Sequence, residues 1–115
     1  MTLLSVADGC GNGYTLAEDE GGQLVLVYDP MTPEMSSSGE YSGGEPGRAA
    51  IDAATAAAIC ALVERMAEDT ASHAKSRMMG TTMVRWVDAN GEKKSFIVRN
   101  GSELLAVLKS ALGRP

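Results

Sequence analysis

Residues 81–99 carry the pattern that most restricts the fold of this chain. Two runs of alternating character flank Asp88-Ala89-Asn90-Gly91-Glu92. That spacing fits a β-hairpin with a three-residue loop, a type I turn followed by Gly91 in the left-handed region as a G1 bulge. The register then sets Thr82 against Val98, Val84 against Phe96 and Trp86 against Lys94. One face carries Val84, Trp86, Phe96 and Val98 and is the expected core face; the other carries Met83, Arg85, Val87, Ile97 and Arg99. A two-residue Asn-Gly turn would mix these sets, and a one-residue slip sends every side chain to the wrong face. The chain is therefore expected to build an antiparallel sheet with one covered face.

A second hairpin is expected nearer the N-terminus. Tyr14–Glu18 alternates apolar and polar residues, Asp19-Glu20-Gly21-Gly22 supplies turn chemistry, and Gln23–Tyr28 is a continuous apolar run that suits a strand buried on both faces. Asp29-Pro30 ends it, because proline cannot donate to a ladder. The apolar stripe Ile51, Thr55, Ile59, Leu62, Val63 and Met66 predicts a helix with Asp52 as N-cap, running to about Ser72. Leu104, Leu105, Leu108 and Leu112 form the stripe of a shorter helix, with Ser102 as N-cap and Gly113 at C′. The order ββ, long loop, α, ββ, α over residues 1–115 predicts a single α+β domain: an antiparallel sheet of about four strands from two hairpins, with two helices packed on one face. Only one Phe, one Trp and three Tyr are available, so the core is expected to be mainly aliphatic.

Residues 29–47 interrupt this order. Three of the four prolines, with four glycines and four serines, fall there, and neither a helical nor a strand period is visible. Long structureless stretches inside small domains are uncommon and are usually functional or disordered. As a recognition loop the segment would present Asp29, Met31, Glu34, Met35, Ser38, Glu40, Tyr41 and Ser42. Methionine and tyrosine supply adaptable apolar contacts, while serine and glycine adapt hydrogen bonding.

Chemistry-bearing constellations are sparse. The Gly-rich run Asp8-Gly9-Cys10-Gly11-Asn12-Gly13 has no Lys-Ser/Thr after it and is expected to be a loose terminal turn. His73, the only histidine, could share a helix face with Asp69, but neither a second histidine nor paired cysteines accompany it, so it is expected at the surface near a helix end. Ser72-His73-Ala74-Lys75 has Ser-x-x-Lys spacing without its companion elements. Cys10 and Cys60, 50 residues apart, fit neither a metal knuckle nor a redox pair and are expected as free thiols, one of them in the core. The expectation is a protein without enzymatic activity, metal or cofactor.

Net charge is −5, and it is unevenly placed. Residues 1–47 hold eight acids and no Lys or Arg, whereas residues from Arg48 onward hold ten bases and seven acids; −8 and +3 sum to −5. This argues against nucleic acid, which needs clustered cations. No apolar stretch approaches the roughly 18–20 residues of a membrane span, and the N-terminus has no basic, signal-like region. A soluble cytoplasmic protein is expected.

The second half reads as an Ile51–Met66 helix, a hairpin ending in Lys93-Lys94-Ser95-Phe96-Ile97-Val98, and a Leu-rich helix Leu104-Leu105-Ala106-Val107-Leu108. This order resembles the emfourin-type inhibitors of thermolysin-like metalloproteases. The resemblance implies a non-enzymatic inhibitor that blocks a protease cleft, and it carries no individual residues across. Three readings stand beside it: an antitoxin- or immunity-type acidic partner of a basic protein surface, a homo-oligomer pairing through a sheet edge, and a small enzyme or ligand-binding domain.

Overall fold

A computed structural model describes residues 2–31, 44–77, 80–88 and 90–113. It has six strands, β1 (Thr2–Ala7), β2 (Gly13–Glu18), β3 (Leu24–Asp29), β4 (Gly47–Ala50), β5 (Thr82–Val87) and β6 (Lys93–Val98), and two helices, α1 (Ala53–Glu68) and α2 (Ser102–Ala111). All strands join one antiparallel sheet in the order β4-β3-β2-β1-β5-β6. The α+β class and the antiparallel sheet are as expected, but the expected four strands become six.

Both added strands have a physical explanation. β1 lies between β2 and β5 and joins the two expected hairpins into one sheet. Its alternation is hidden because two leucines, Leu3 and Leu4, are adjacent in the sequence where the pairing register shifts between Thr2 and Leu4; beyond the shift Leu4 and Val6 point into the core. β4 reads Gly-Arg-Ala-Ala, residues of low strand propensity. It exists through pairing with β3, from Val25 opposite Ala50 to Tyr28 opposite Gly47.

The expected register of the β5–β6 hairpin is observed, with Val84 opposite Phe96 and Trp86 opposite Lys94. One loop design recurs three times. Asp8, Asp19 and Asp88 each accept backbone N–H groups two and four residues on, and each is followed three residues later by a glycine of positive φ, Gly11, Gly22 and Gly91. Backbone bonds close each loop, for example Asp8 N–H to Asn12 O at 3.0 Å. The Gly-rich run is thus a tight hairpin loop and not the loose terminal turn expected. Its aspartate offers the backbone a second set of acceptors, and its glycine takes a conformation that a Cβ would oppose.

A single cluster joins the inward residues of the sheet (Leu4, Val6, Leu16, Leu26, Val84, Phe96, Val98) to Ile59, Leu62 and Val63 of α1 and to Leu104 and Leu108 of α2. Both helices therefore cover the same face. The core is mainly aliphatic, as expected, with Tyr14 and Tyr28 packed 4.9 Å apart between ring centres. Val25 is buried on the opposite face, so β3 does carry apolar residues on both sides, although it lies next to the edge strand.

The expected α1 N-cap is present: Thr55 N–H donates to Asp52 Oδ1 at 2.7 Å. The helix ends at Glu68, earlier than expected, and Thr70–Ser72 forms a separate 3₁₀ turn. At α2 the expected cap is corrected. Gly101 occupies the N-cap position and Ser102 is already helical, its N–H bonded to Asn100 Oδ1. Gly101 is buried against Thr82, and a Cβ there would sit 2.6 Å from Thr82 Cβ, so the position admits no side chain. Gly113 takes positive φ after α2, as expected.

Two caps give a pH prediction. The Thr55 side chain and then the Thr55 N–H hold the Asp52 carboxyl below its ordinary 3.8. Lys94 Nζ, 3.0 Å from Asp88 Oδ2, followed by the Glu92 N–H, does the same for Asp88. Folded values below unfolded ones mean stability present above the unfolded value and lost as pH falls through the folded value. Urea midpoints measured from pH 6 downward should therefore fall less steeply on acidification in an Asp52→Asn, Asp88→Asn double variant than in the parent. Parallel curves would show that the two caps are not linked to protonation.

Candidate functional site

The ends of the 29–47 segment are built into the sheet at one edge. Tyr28 stands opposite Gly47, so the chain leaves β3 and returns to β4 at adjacent positions. The departure is further fixed by the β1–β2 loop. Asn12 is 4% exposed; its Nδ2 donates to Asp8 Oδ2 at 2.9 Å, and its Oδ1 accepts the Met31 N–H at 2.8 Å. The Met31 methyl group packs where a Cβ on Gly11 would be, so the positive-φ glycine also makes room for the methionine. Arg77 braces the same loop from the other side: its Nη2 donates to Asp8 O at 3.0 Å, and its Nη1 donates to Thr81 O at 2.6 Å.

Of the residues expected to contact a partner, Asp29 is exposed at the end of β3. Met31 is half-buried, and its N–H is tied to Asn12 Oδ1. Glu34, Met35, Ser38, Glu40, Tyr41 and Ser42 lie outside the described residues. Sequence reasoning missed Asn12 and Arg77, which hold the base of the segment. The signal for Asn12 was the repeated Asp-x-x-Gly loop, whose fifth residue it is.

His73 is not the expected surface residue at a helix end. It follows the 3₁₀ turn, is half-buried, stacks on Phe96 (ring centres 4.9 Å apart, planes 7° apart) and donates from Nε2 to Met66 O at 2.9 Å. Asp69 caps α1 instead of sharing a helix face with it. The Ser72 hydroxyl donates to Asp69 O at 2.8 Å. Trp86 meets Phe96 edge-on at 5.2 Å, completing a three-ring cluster under β6. Cys10 and Cys60 are both free, as expected, but neither lies in the core: Cys10 is exposed and Cys60 only half-buried on α1. Burial, and then the neighbouring Glu64, push the Cys60 thiol up. Among the described residues no cluster of three His, Cys, Asp or Glu could hold a metal ion, and no helix is long and apolar enough to cross a membrane.

The sheet face opposite the helices holds a concavity of about 600 Å³ over β1, β5 and β6. A smaller one of about 290 Å³ lies between the end of α1 and the β5–β6 loop, lined by Glu64, Glu68, Trp86 and Lys94. Comparison with protein-family models, curated proteins and solved structures finds no match to this chain.

Proposed function

We propose that this chain is a non-enzymatic protein-binding module that presents residues 29–47 to another protein, in the manner of a protease inhibitor. The observation that carries this reading is the anchoring of the segment at both ends, by Asn12 Oδ1 on Met31 N–H and by the β3–β4 ladder. Fixing the ends of a recognition segment lowers the ordering cost on binding. The Met, Ser, Gly and Tyr content of the segment suits an adaptable contact surface. The resemblance of the second half to emfourin-type inhibitors names the partner to try first, a thermolysin-like metalloprotease.

The test compares the intact chain with a variant in which residues 32–43 are replaced by a short Gly-Ser linker, leaving Met31 and β4 in place. Inhibition of a thermolysin-like protease by the intact chain, weakened at least tenfold in the variant, is the expected result. No inhibition by either form sinks the protease reading, and equal inhibition by both sinks the role of the segment.

A second reading rests on charge. The β2–β3 and β5–β6 loops lie at the same end of the sheet and bring together Glu18, Asp19, Glu20 and Glu92. This acidic end suits an antitoxin- or immunity-type partner of a basic protein. Its association would weaken steeply with added salt, because steering charges are screened within about 8–10 Å at physiological ionic strength.

A further inference from the structure

The concavity on the helix-free face lies at the same end of the sheet as the acidic loops, with Gly91 and Lys93 flanking Glu92 in the sequence, yet its own lining is basic and apolar. Across three adjacent strands Ser5, Arg85 and Ser95 stand directly opposite one another. Val87 lies opposite Lys93 in the next row, and Leu3 from the shifted segment of β1 lines the same concavity. Arg85 and Lys93 are diagonal neighbours, a relation that sets Cβ atoms about 7–8 Å apart, within reach of one shared anion for side chains this long. Both are exposed, and neither forms an ion pair among the described residues. The Arg85 guanidinium donates from Nη2 to Met83 Sδ at 3.7 Å. Lys94, by contrast, is committed to Asp88.

We propose that this concavity binds a small amphipathic anion, a carboxylate or sulfonate carried on an apolar body. The guanidinium and ammonium converge on the anionic group, Arg85 through its planar fork of donors. The Ser5 and Ser95 hydroxyls donate beside them, and Leu3 and Val87 receive the apolar body. A volume of about 600 Å³ falls in the range of small-molecule sites. Two cations without an ion-pair partner among the described residues, over an apolar floor, leave an attraction that an anion of this kind completes. The site lies at the opposite end of the sheet from the departure of residues 29–47, so it stands or falls independently of the proposed partner-binding role.

The test is a titration of the intact ¹⁵N-labelled protein with octanoate, followed through backbone amide shifts. Saturable shifts confined to Leu3, Ser5, Arg85, Val87, Lys93 and Ser95 are expected. Octanol, which lacks the charge, and inorganic phosphate, which lacks the apolar body, should each bind at least tenfold more weakly. An Arg85→Gln, Lys93→Gln variant should lose at least tenfold in octanoate affinity while its core amide shifts stay unchanged, since both side chains are exposed. Octanol binding as well as octanoate, an unchanged affinity in the variant, or no saturation in the millimolar range would each overturn the proposal. So would an acidic peptide shifting these amides when octanoate does not, which would assign the surface to a protein partner.

Discussion

Replacing Phe96 by alanine should lower the stability of the fold by about 3–5 kcal/mol, the usual cost of removing a buried aromatic ring. Phe96 is 9% exposed on the edge strand β6, where one ring ties three segments together. It stacks on His73 and meets Trp86 at a near-perpendicular angle. His73 in turn bonds Met66 O near the end of α1. The crossover between α1 and β5 is pinned to β6 by Ala74 N–H to Ile97 O at 2.8 Å and Arg99 N–H to Ser72 O at 3.0 Å. Aromatic pairs contribute about 0.5–1.5 kcal/mol beyond their buried area. A Phe96→Leu variant, which keeps most of the apolar volume, should therefore recover much of the loss but not all of it. Urea unfolding at neutral pH measures both. Domains of this size have total stabilities of about 5–15 kcal/mol, so the alanine variant should be partly unfolded at moderate temperature. A loss below about 1 kcal/mol would mean that the neighbouring rings collapse into the space and that the cluster is not a tie between segments.

Legibility in the sequence followed the strength of local signals. Val84, Phe96, Val98 and the Asp88–Glu92 loop were readable because period-two alternation and an Asp-x-x-Gly turn agreed on one register. The α1 stripe and Asp52 cap were readable for the same reason: periodicity and cap chemistry coincide. β1 was not, because the adjacent Leu3 and Leu4 break the alternation where the pairing register shifts. β4 was not, because Gly47, Arg48, Ala49 and Ala50 have no intrinsic preference for a strand and take one from β3. The Asp8 loop chemistry was present but masked by three glycines, although Asp and Gly have the same spacing there as at Asp19–Gly22 and Asp88–Gly91. The candidate site was least legible. The importance of Asn12 lies in a hydrogen bond to Met31, 19 residues away, and that of Arg77 in one to Asp8, 69 residues away. Neither leaves a periodic trace, because side-chain bonds between distant segments depend on which strands end beside each other.

The pairing of Asn12 with Met31 is also where stability and the proposed function meet. Asn12→Ala removes an acceptor from the Met31 N–H and a donor from Asp8 Oδ2 in a partly buried setting, where each lost hydrogen bond costs about 0.5–1.5 kcal/mol. The Asp8 loop itself should survive, because Asp8 Oδ1 accepts from the backbone N–H groups of Cys10 and Asn12, which the substitution leaves in place. The expected signature is therefore local. Hydrogen exchange at the Met31 amide should accelerate far more than exchange in the ladders of β1 and β2, whose protection should change only with global stability. Under the proposed function the same variant should bind its partner more weakly than its stability loss explains, because residues 29–47 then pay the full ordering cost on binding. Comparing the two readouts separates the alternatives. Faster Met31 exchange with unchanged partner affinity would keep the anchor as a structural device and remove it from recognition. Unchanged Met31 exchange would mean that the Asn12 contact does not hold the segment, and the anchoring that carries the proposed function would rest on β4 alone.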